Sequence, residues 1–311
     1  MTTTFTSASV SQTCRATWPE TQYTLTKKYD AYNFLGSNGF AQYLSKEQAL
    51  QAGLVRTDGG VIYIGVDNKT VLDPRTSLGR PSVRVESHDE FSSGLLIADI
   101  EHLPGNACGL WPAFWLLFDL RSDYSEIDII EGVSLDTADE ITLYTDNECY
   151  VDLRTDMIGT EENNYCRGPN HDQGVTADLT LFEGRDVTRK SCGVKAPKGG
   201  VWALLLDENN IKVWFFGRCR IPEDISKDKP DPSGWGTPIM KLGRGTCNIV
   251  EAWKKMKIVI NITFCGHWPE GVWEVSGCAA KTKTECREYV AQNPKDFVEG
   301  YFLINWIKTF Q

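Results

Sequence analysis

The chain has 311 residues, a formal net charge of −10 at pH 7 and 41% hydrophobic residues. These proportions exclude an intrinsically disordered chain and supply enough apolar side chains for a large core. The acidic charge argues against a nucleic-acid partner, because phosphates would repel it. The longest apolar run is far shorter than the ~20 residues that a membrane span requires. We therefore expect neither a nucleic-acid nor a membrane partner.

Ten cysteines are scattered along the chain, and no two form a CxxC pair. An even number without zinc-ribbon spacing favours disulfide bonds in a secreted protein over a metal site. Cys278 and Cys286 are the expected local pair, because only seven residues separate them. The N-terminus lacks a basic start followed by an apolar run, so secretion would require that Met1 begins a trimmed chain. Sequons at Asn68 and Asn261 are compatible with secretion.

Short segments with a period-2 alternation of apolar residues predict β-strands along most of the chain. The clearest are VIYIGVD, IKVWFFG and KIVINITF, which begin at Val61, Ile211 and Lys257. Helical signal is limited to 46–52 and 284–292, and the proline-containing segment 226–236 predicts a long surface loop. Many short strands separated by Gly, Pro, Asn and Asp predict one all-β domain over residues 1–311, a sandwich or jelly roll.

The stretch SEIDIIEGV, which begins at Ser125, places three carboxylates within six residues of an otherwise apolar strand. Glu126 and Asp128 share one face of such a strand. Strict alternation would send Glu131 into the core, where an unpaired carboxylate costs several kcal/mol. We therefore predict a β-bulge near 129–130, because one extra residue returns Glu131 to the acidic face.

Three carboxylates on one sheet face repel each other, which should separate their pKa values. A retaining glycosidase needs such a difference, with one ionised nucleophile and one protonated acid roughly 5–5.5 Å away. Two other interpretations are a solvated edge strand and a calcium site. The apolar flanking residues disfavour the edge strand, and calcium sites usually take their ligands from loops.

Tryptophans accompany the acidic strand. Trp111 and Trp115 in the block WPAFW have equal parity, so on a strand both would face the same side. Sugar rings present apolar C–H faces on which indoles stack, while the indole N–H can meet a hydroxyl. Trp268 is a third candidate platform. The alternative is that these tryptophans belong to the core.

The motif E-[ILV]-D-x-x-E at Glu126, Asp128 and Glu131, together with WPAFW and GRPSVR (79–84), resembles glycoside hydrolase family 16. The resemblance extends over roughly residues 18–311 and is strongest to fungal laminarinase-like endo-β-1,3(4)-glucanases. It implies a β-jelly-roll sandwich of two antiparallel sheets with an open substrate cleft. It also implies that Glu126 is the nucleophile, that Asp128 orients and tunes it, and that Glu131 is the acid/base.

The resemblance further implies a β-glucan polysaccharide or oligosaccharide as substrate, no cofactor or metal, and a secreted monomer. The implied substrate contacts are Trp115, Trp111, Arg84, Tyr144 and Trp268. Two departures from the family pattern concern the cleft. Ser125 follows Tyr124 where the family usually has Gly after a Trp-Pro segment, and Tyr144 replaces the usual histidine. We expect Tyr144 to reach the carboxyl of Glu131.

Other functions remain open from the sequence. A glucan transglycosylase would use the same carboxylates, and a family member acting on β-1,6-glucan or β-1,3-galactan would share the motif. A non-catalytic glucan-binding jelly roll would not need both glutamates. A serine hydrolase is disfavoured because no G-x-S-x-G elbow occurs. A zinc hydrolase is disfavoured because the four histidines form no HExxH motif.

Overall fold

The computed structural model describes residues 23–25, 39–120, 123–136, 139–147, 149–153, 156–158, 160–161, 175–179 and 199–311. Within these ranges, two eight-stranded antiparallel sheets account for most of the secondary structure. The first sheet has the spatial order β1 (Tyr23–Leu25), β6 (Arg84–Phe91), β17 (Met256–Phe264), β8 (Leu110–Leu120), β9 (Asp123–Glu131), β10 (Asp139–Thr145), β13 (Val175–Leu179) and β12 (Thr160–Glu161). The second has the order β11 (Asp152–Leu153), β16 (Met240–Gly243), β15 (Asn210–Gly217), β14 (Gly200–Leu206), β7 (Gly94–His102), β18 (Tyr301–Phe310), β4 (Val61–Gly65) and β3 (Val55–Asp58).

The remaining elements are short. A parallel pair is formed by β2 (Ala41–Tyr43) and β5 (Arg80–Ser82). The helices are α1 (Lys46–Gln51), α2 (Glu223–Ser226), α3 (Ile249–Ala252), α4 (His267–Gly271), α5 (Cys278–Thr282) and α6 (Cys286–Gln292). Single 3₁₀ turns occupy Arg218–Arg220, Pro232–Gly234 and Pro294–Phe297. None of the helices in the described ranges is long and apolar enough to cross a membrane.

The main core contains the apolar residues that alternate along the strands of both sheets. In β17, Ile258, Ile260, Ile262 and Phe264 are all buried in it, as the period-2 pattern predicted. Because successive side chains of a strand point to opposite sides, the polar residues between them face the other side of the sheet. The sequence-based fold class, a jelly-roll sandwich of antiparallel sheets, is confirmed.

Both predicted helices are present with slightly shorter bounds. Helix α1 begins with a capping box, in which the Ser45 hydroxyl accepts from the backbone N–H of Gln48 and the Gln48 side chain accepts from that of Ser45. This reciprocal pair satisfies two N–H groups that the first helical turn leaves without partners. The second predicted helix is α6.

The segment predicted as a long surface loop, 226–236, does more than connect two strands. Trp235 is 8% exposed and packs edge-on against Trp214 and Phe216 of β15. These residues belong to a second hydrophobic cluster, separate from the main core. The prediction of a surface segment was therefore incomplete, because the end of this segment covers the face of the second sheet that lies away from the main core.

The expected disulfide between Cys278 and Cys286 is wrong. Cys278 bonds to Cys108, and Cys286 bonds to Cys265. The reason is the pairing of β8 with β17, in which Leu110 lies opposite Phe264, so that Cys108 and Cys265 flank neighbouring strand ends. Each of these cysteines binds one cysteine of the helical segment. A third disulfide joins Cys149 to Cys247 among the residues that the structure describes.

A double substitution, Cys108→Ala with Cys278→Ala, should lower the free energy of unfolding by about 2–5 kcal/mol, because it removes a cross-link between residues 170 positions apart. Both cysteines are fully buried, so the native protein should keep this disulfide in mild reductant. Denaturant unfolding of both proteins, with and without reductant, measures the difference. Equal unfolding midpoints for the variant and the oxidised wild type would contradict a stabilising role.

Candidate active site

Strand β9 carries the three acidic residues and contains the predicted bulge. On the side of β8, Phe114 pairs with Ile130 and Trp115 pairs with Asp128, which leaves Ile129 as an extra residue. The register with β10 shifts at the same point, where Glu140 pairs with Glu131 and the next pair is Thr142 with Asp128. The predicted bulge is confirmed.

The bulge gives β9 two chemically distinct faces. Ile127, Ile129 and Ile130 are all buried in the main core. Glu126 and Glu131 are half-buried, whereas Asp128 between them is only 2% exposed. The strand therefore presents two accessible carboxyl groups and one enclosed carboxyl group.

Asp128 is the enclosed carboxyl of the cluster. Burial raises its pKa well above the ordinary value, and the charges of Glu126 and Glu131 raise it further. A hydrogen bond to Glu126 acts in the same direction, because the protonated Asp128 donates it. Asp128 therefore retains a proton under conditions in which an exposed aspartate is ionised, and holds it against Glu126.

Tyr124 is a neighbour of Glu126 that the motif did not indicate. Its hydroxyl donates a hydrogen bond to Glu126 Oε2. Burial raises the pKa of Tyr124 well above its ordinary value, and the charge of Glu126 raises it further, so the phenol remains a donor. Tyr124 could have been identified from the sequence, because a residue two positions before Glu126 on a strand lies on the same face.

Trp111 interacts with the other glutamate. Its indole Nε1–H donates to Glu131 Oε1 at 2.7 Å, and the Trp268 ring packs edge-on against it with centroids 5.6 Å apart. The backbone N–H of Glu131 donates to Asp139 Oδ1 at 2.8 Å. The N–H of Trp111 is thus bonded to the protein, whereas the sequence suggested that such N–H groups meet sugar hydroxyls.

Trp115 belongs to a separate polar cluster beside the acidic strand. Its indole Nε1–H donates to Asn261 Oδ1 at 2.6 Å, and Asn261 Nδ2 donates to Thr263 Oγ1 at 3.1 Å. The Arg84 guanidinium lies 4.8 Å from the centroid of the Trp115 ring and pairs with Glu86 at 2.8 Å. Arg84 and Trp115 are therefore adjacent.

Asn261 begins a sequon in the sequence, but in the fold its side chain has a structural role. It is 7% exposed and lies within β17, so its sequon is enclosed in the folded protein. In the sequence, a polar residue between Ile260 and Ile262 indicates that one face of this strand points away from the core. In the structure, this asparagine fixes the indole of Trp115.

Tyr144 lies on β10, beside the acidic strand. Its cross-strand partner is Glu126, whereas Glu131 pairs with Glu140. Burial raises the pKa of the Tyr144 phenol, and the charges of Asp128, Glu131 and Glu126 act in the same direction. Tyr144 is therefore a neutral group within the electrostatic range of all three carboxylates.

A buried tryptophan that the sequence did not single out supports this part of the sheet. Trp253 Nε1–H donates to the backbone oxygens of Glu126 at 3.2 Å and Tyr144 at 3.0 Å. The Ser125 hydroxyl donates to the backbone oxygen of Ala252 at the end of α3. These bonds connect β9, β10 and α3, and they restrict the backbone that carries Glu126.

The arrangement suits acid–base and nucleophilic chemistry at carboxyl groups. Two half-buried glutamates lie five residues apart on one face and have different donors, namely Tyr124 and Asp128 for Glu126 and Trp111 for Glu131. Different environments for two carboxyls are the usual way to give them different roles. In the described part of the chain, no group of three or more His, Cys, Asp or Glu side chains is arranged to hold a metal ion.

Sequence comparison relates the chain to known proteins. The family described as "XgeA-like, catalytic GH16 domain" matches residues 28–310. A probable endo-1,3(4)-β-glucanase of Aspergillus flavus is 38% identical over 306 residues, which are 93% of this chain and 44% of the relative. The chain thus spans less than half the length of that relative.

Structural comparison gives two neighbours with substantial identity. An elongating GH family 16 β-1,3-glucosyltransferase is 38% identical, with a TM-score of 0.77 over 93% of this chain and 100% of that protein. Laminarinase 16A from Phanerochaete chrysosporium, solved with 6-O-glucosyl-laminaritriose in both donor and acceptor sites, is 29% identical. Its TM-score is 0.80, over 93% of this chain and 95% of the laminarinase.

The substitution Asp128→Asn should stabilise the protein at neutral pH. The stability associated with a raised pKa is fully present below the unfolded value of about 3.9 and is lost as the pH rises through the folded value. Asparagine does not titrate and can still donate to Glu126. The free energy of unfolding of the variant relative to wild type should therefore increase from pH 4 upward, measured by denaturant unfolding.

Asp231→Asn is the matched control for this experiment. Hydrogen bonds from Ser233 lower the pKa of Asp231, so its contribution to stability is present above the unfolded value and is lost at lower pH. The control should lose stability at neutral pH and converge with wild type in acid. If Asp128→Asn follows the same trend as the control, the assignment of a raised pKa to Asp128 is wrong.

Proposed function

The chain belongs to glycoside hydrolase family 16, and we propose that it hydrolyses internal bonds of β-1,3-linked glucan, including mixed β-1,3/1,4 chains, with retention. The observation that carries this proposal is the placement of Glu126, Asp128 and Glu131 on one face of the bulged strand β9. The name of the A. flavus relative and the β-glucans bound to the P. chrysosporium laminarinase support a β-glucan as substrate.

In the proposed reaction, Glu131 donates a proton to the glycosidic oxygen while the Glu126 carboxylate attacks the anomeric carbon. The leaving chain departs and a covalent glycosyl-enzyme remains. Glu131, now ionised, removes a proton from water, and the water oxygen attacks the same carbon. The bond to Glu126 breaks, the product keeps the β configuration, and Glu131 is protonated again.

Asp128 supports this cycle through its proton. It is buried between the glutamates and donates to Glu126, so it reduces the repulsion that a third ionised carboxylate would add. Its hydrogen bond also restricts the orientation of the Glu126 carboxyl. We assign to Asp128 the role of orienting and tuning the nucleophile.

The aromatic side chains beside β9 supply contacts for sugar rings. We propose that Trp111 and Trp268, whose rings meet edge-on, line the cleft beside Glu131, and that Trp115 with Arg84 lines it on the side of β17. Since both β8 indoles donate their N–H groups within the protein, sugars would contact the ring faces. Tyr144 adds a neutral hydroxyl opposite Glu126.

Transglycosylation is the second candidate, because the β-1,3-glucosyltransferase is as similar in sequence to this chain as the glucanase relative is. In that reaction a sugar hydroxyl, rather than water, attacks the glycosyl-enzyme. The same three carboxylates serve both outcomes.

We also propose that the protein is secreted and acts as a monomer. Three buried disulfides among the described residues are typical of an oxidising compartment. All the proposed catalytic and sugar-contacting groups come from one chain, so the site needs no second subunit.

Glu126→Gln and Glu131→Gln should each lower turnover of laminarin by several orders of magnitude, because each removes one of two groups that act in both steps. Folding and glucan binding should persist, as tested by thermal unfolding and by affinity electrophoresis in laminarin. Azide identifies the roles. Glu126→Gly with azide should give an α-glycosyl azide, and Glu131→Ala should give a β-glycosyl azide. An α-configured hydrolysis product from the wild-type enzyme would exclude the double-displacement mechanism.

Product lengths over time separate hydrolysis from transfer. With laminarihexaose, a hydrolase should release only shorter oligosaccharides, whereas a glucosyltransferase should produce chains longer than the substrate at early times. We expect mainly shorter products at low substrate concentration. Products on lichenan, β-1,6-glucan and β-1,3-galactan define the linkage. Activity confined to either of the last two polymers would overturn the proposed substrate.

A further inference from the structure

Tyr124 lies beside Glu126 and forms a hydrogen bond with its carboxyl group. It is half-buried, and its hydroxyl donates to Oε2 of Glu126, the carboxylate that we propose as nucleophile. Because a carboxylate has two oxygens, a fixed donor on Oε2 defines the direction of Oε1. In the proposed reaction, Oε1 is then the oxygen that bonds to the anomeric carbon.

The backbone of Tyr124 is held in place from the neighbouring segment. Its N–H donates to Asp146 Oδ2 at 2.9 Å, and its carbonyl oxygen accepts from the N–H of Asp146 at 2.9 Å. These bonds fix the main chain from which the phenol reaches Glu126.

The strength of this hydrogen bond changes during the proposed cycle. In the free enzyme the acceptor is a carboxylate, and hydrogen bonds to charged groups are about twice as strong as those between neutral groups. In the glycosyl-enzyme, Oε1 is bonded to the sugar and Oε2 becomes the carbonyl oxygen of a neutral ester, which is a weaker acceptor. The donor therefore favours the states in which Glu126 carries charge.

On these grounds we propose that Tyr124 is a positioning residue that assists departure of Glu126 from the glycosyl-enzyme. In that step the water oxygen bonds to the anomeric carbon, Glu131 takes a water proton, and the bond between the anomeric carbon and Oε1 breaks. The electron pair returns to the Glu126 carboxyl, and Tyr124 donates to the charge that develops on Oε2. The inference rests on the proposed retaining mechanism.

The test compares Tyr124→Phe with wild type on 2,4-dinitrophenyl β-laminaribioside, whose good leaving group makes formation of the glycosyl-enzyme fast. Loss of a charge-assisted hydrogen bond should lower kcat by about tenfold or more. The KM value should fall with kcat, because the intermediate accumulates, so kcat/KM should change much less. Stopped flow should show a burst of about one dinitrophenolate per enzyme, and intact mass during turnover should show the added sugar.

Tyr289→Phe is the matched control. Tyr289 is a buried tyrosine whose hydroxyl donates to the carboxylate of Asp296 and lies outside the proposed cleft residues. The control removes the same type of hydrogen bond and should lower the unfolding temperature without producing a burst. It therefore separates a structural loss from an effect on the intermediate.

Two results would overturn the proposal. One is a Tyr124→Phe enzyme with unchanged kcat, and the other is a proportional loss of kcat and kcat/KM with no burst and no covalent adduct by mass. The wider function is tested separately. If wild type releases no dinitrophenolate from the glycoside and no sugar from laminarin, the glycosidase proposal itself fails, whatever Tyr124 does.

Discussion

The extra residue in strand β9 is the constraint on which the candidate site depends. Ile129 breaks the alternation once, so Glu126, Asp128 and Glu131 share a face while three isoleucines of the same strand enter the core. A shift of one residue in a strand transfers every following side chain to the opposite face. Because β9 lies between β8 and β10, the buried isoleucines fix its register on both sides. The acidic face is thus a consequence of hydrophobic packing on the reverse side.

The two half-buried glutamates are held by aromatic donors from different elements. Tyr124 comes from β9 itself and Trp111 from β8, while Trp115 is fixed by Asn261 of β17. Buried polar groups that form such bonds retain their orientation, and those left without partners are costly. Trp268 of α4 packs edge-on against Trp111, so α4 also contacts this group of side chains. Helix α4 follows Cys265, which is held by a disulfide bond. These side chains are therefore oriented by hydrogen bonds within the protein itself.

Local patterns were sufficient to predict strands β4, β15 and β17, both longer helices, and the bulge that places three carboxyl groups on one face of β9, because each depends on residues close in sequence. Long-range pairing was not predictable from the same patterns. Strand β17 lies between β6 and β8, although about 140 residues separate it from β8, and this placement decides the partners of Cys265 and Asn261. Sequence proximity favoured the wrong disulfide for that reason. Tyr124 was accessible to a parity argument, whereas the bonds of Trp253 to β9 and β10 required the folded chain.

The site also contains a buried carboxyl group that lowers the stability of the folded state, and the rest of the fold must offset this loss. Asp128 is enclosed next to two carboxylates, and the charge of Glu140 raises its pKa further. A carboxyl in this position lowers the stability of the folded state at the pH at which an exposed aspartate would be ionised. Core packing and the disulfides stabilise the folded state without requiring any change at the site. Since proteins retain such unfavourable groups mainly where function needs them, the enclosure of Asp128 is itself an argument that this face of β9 is the chemical centre of the molecule.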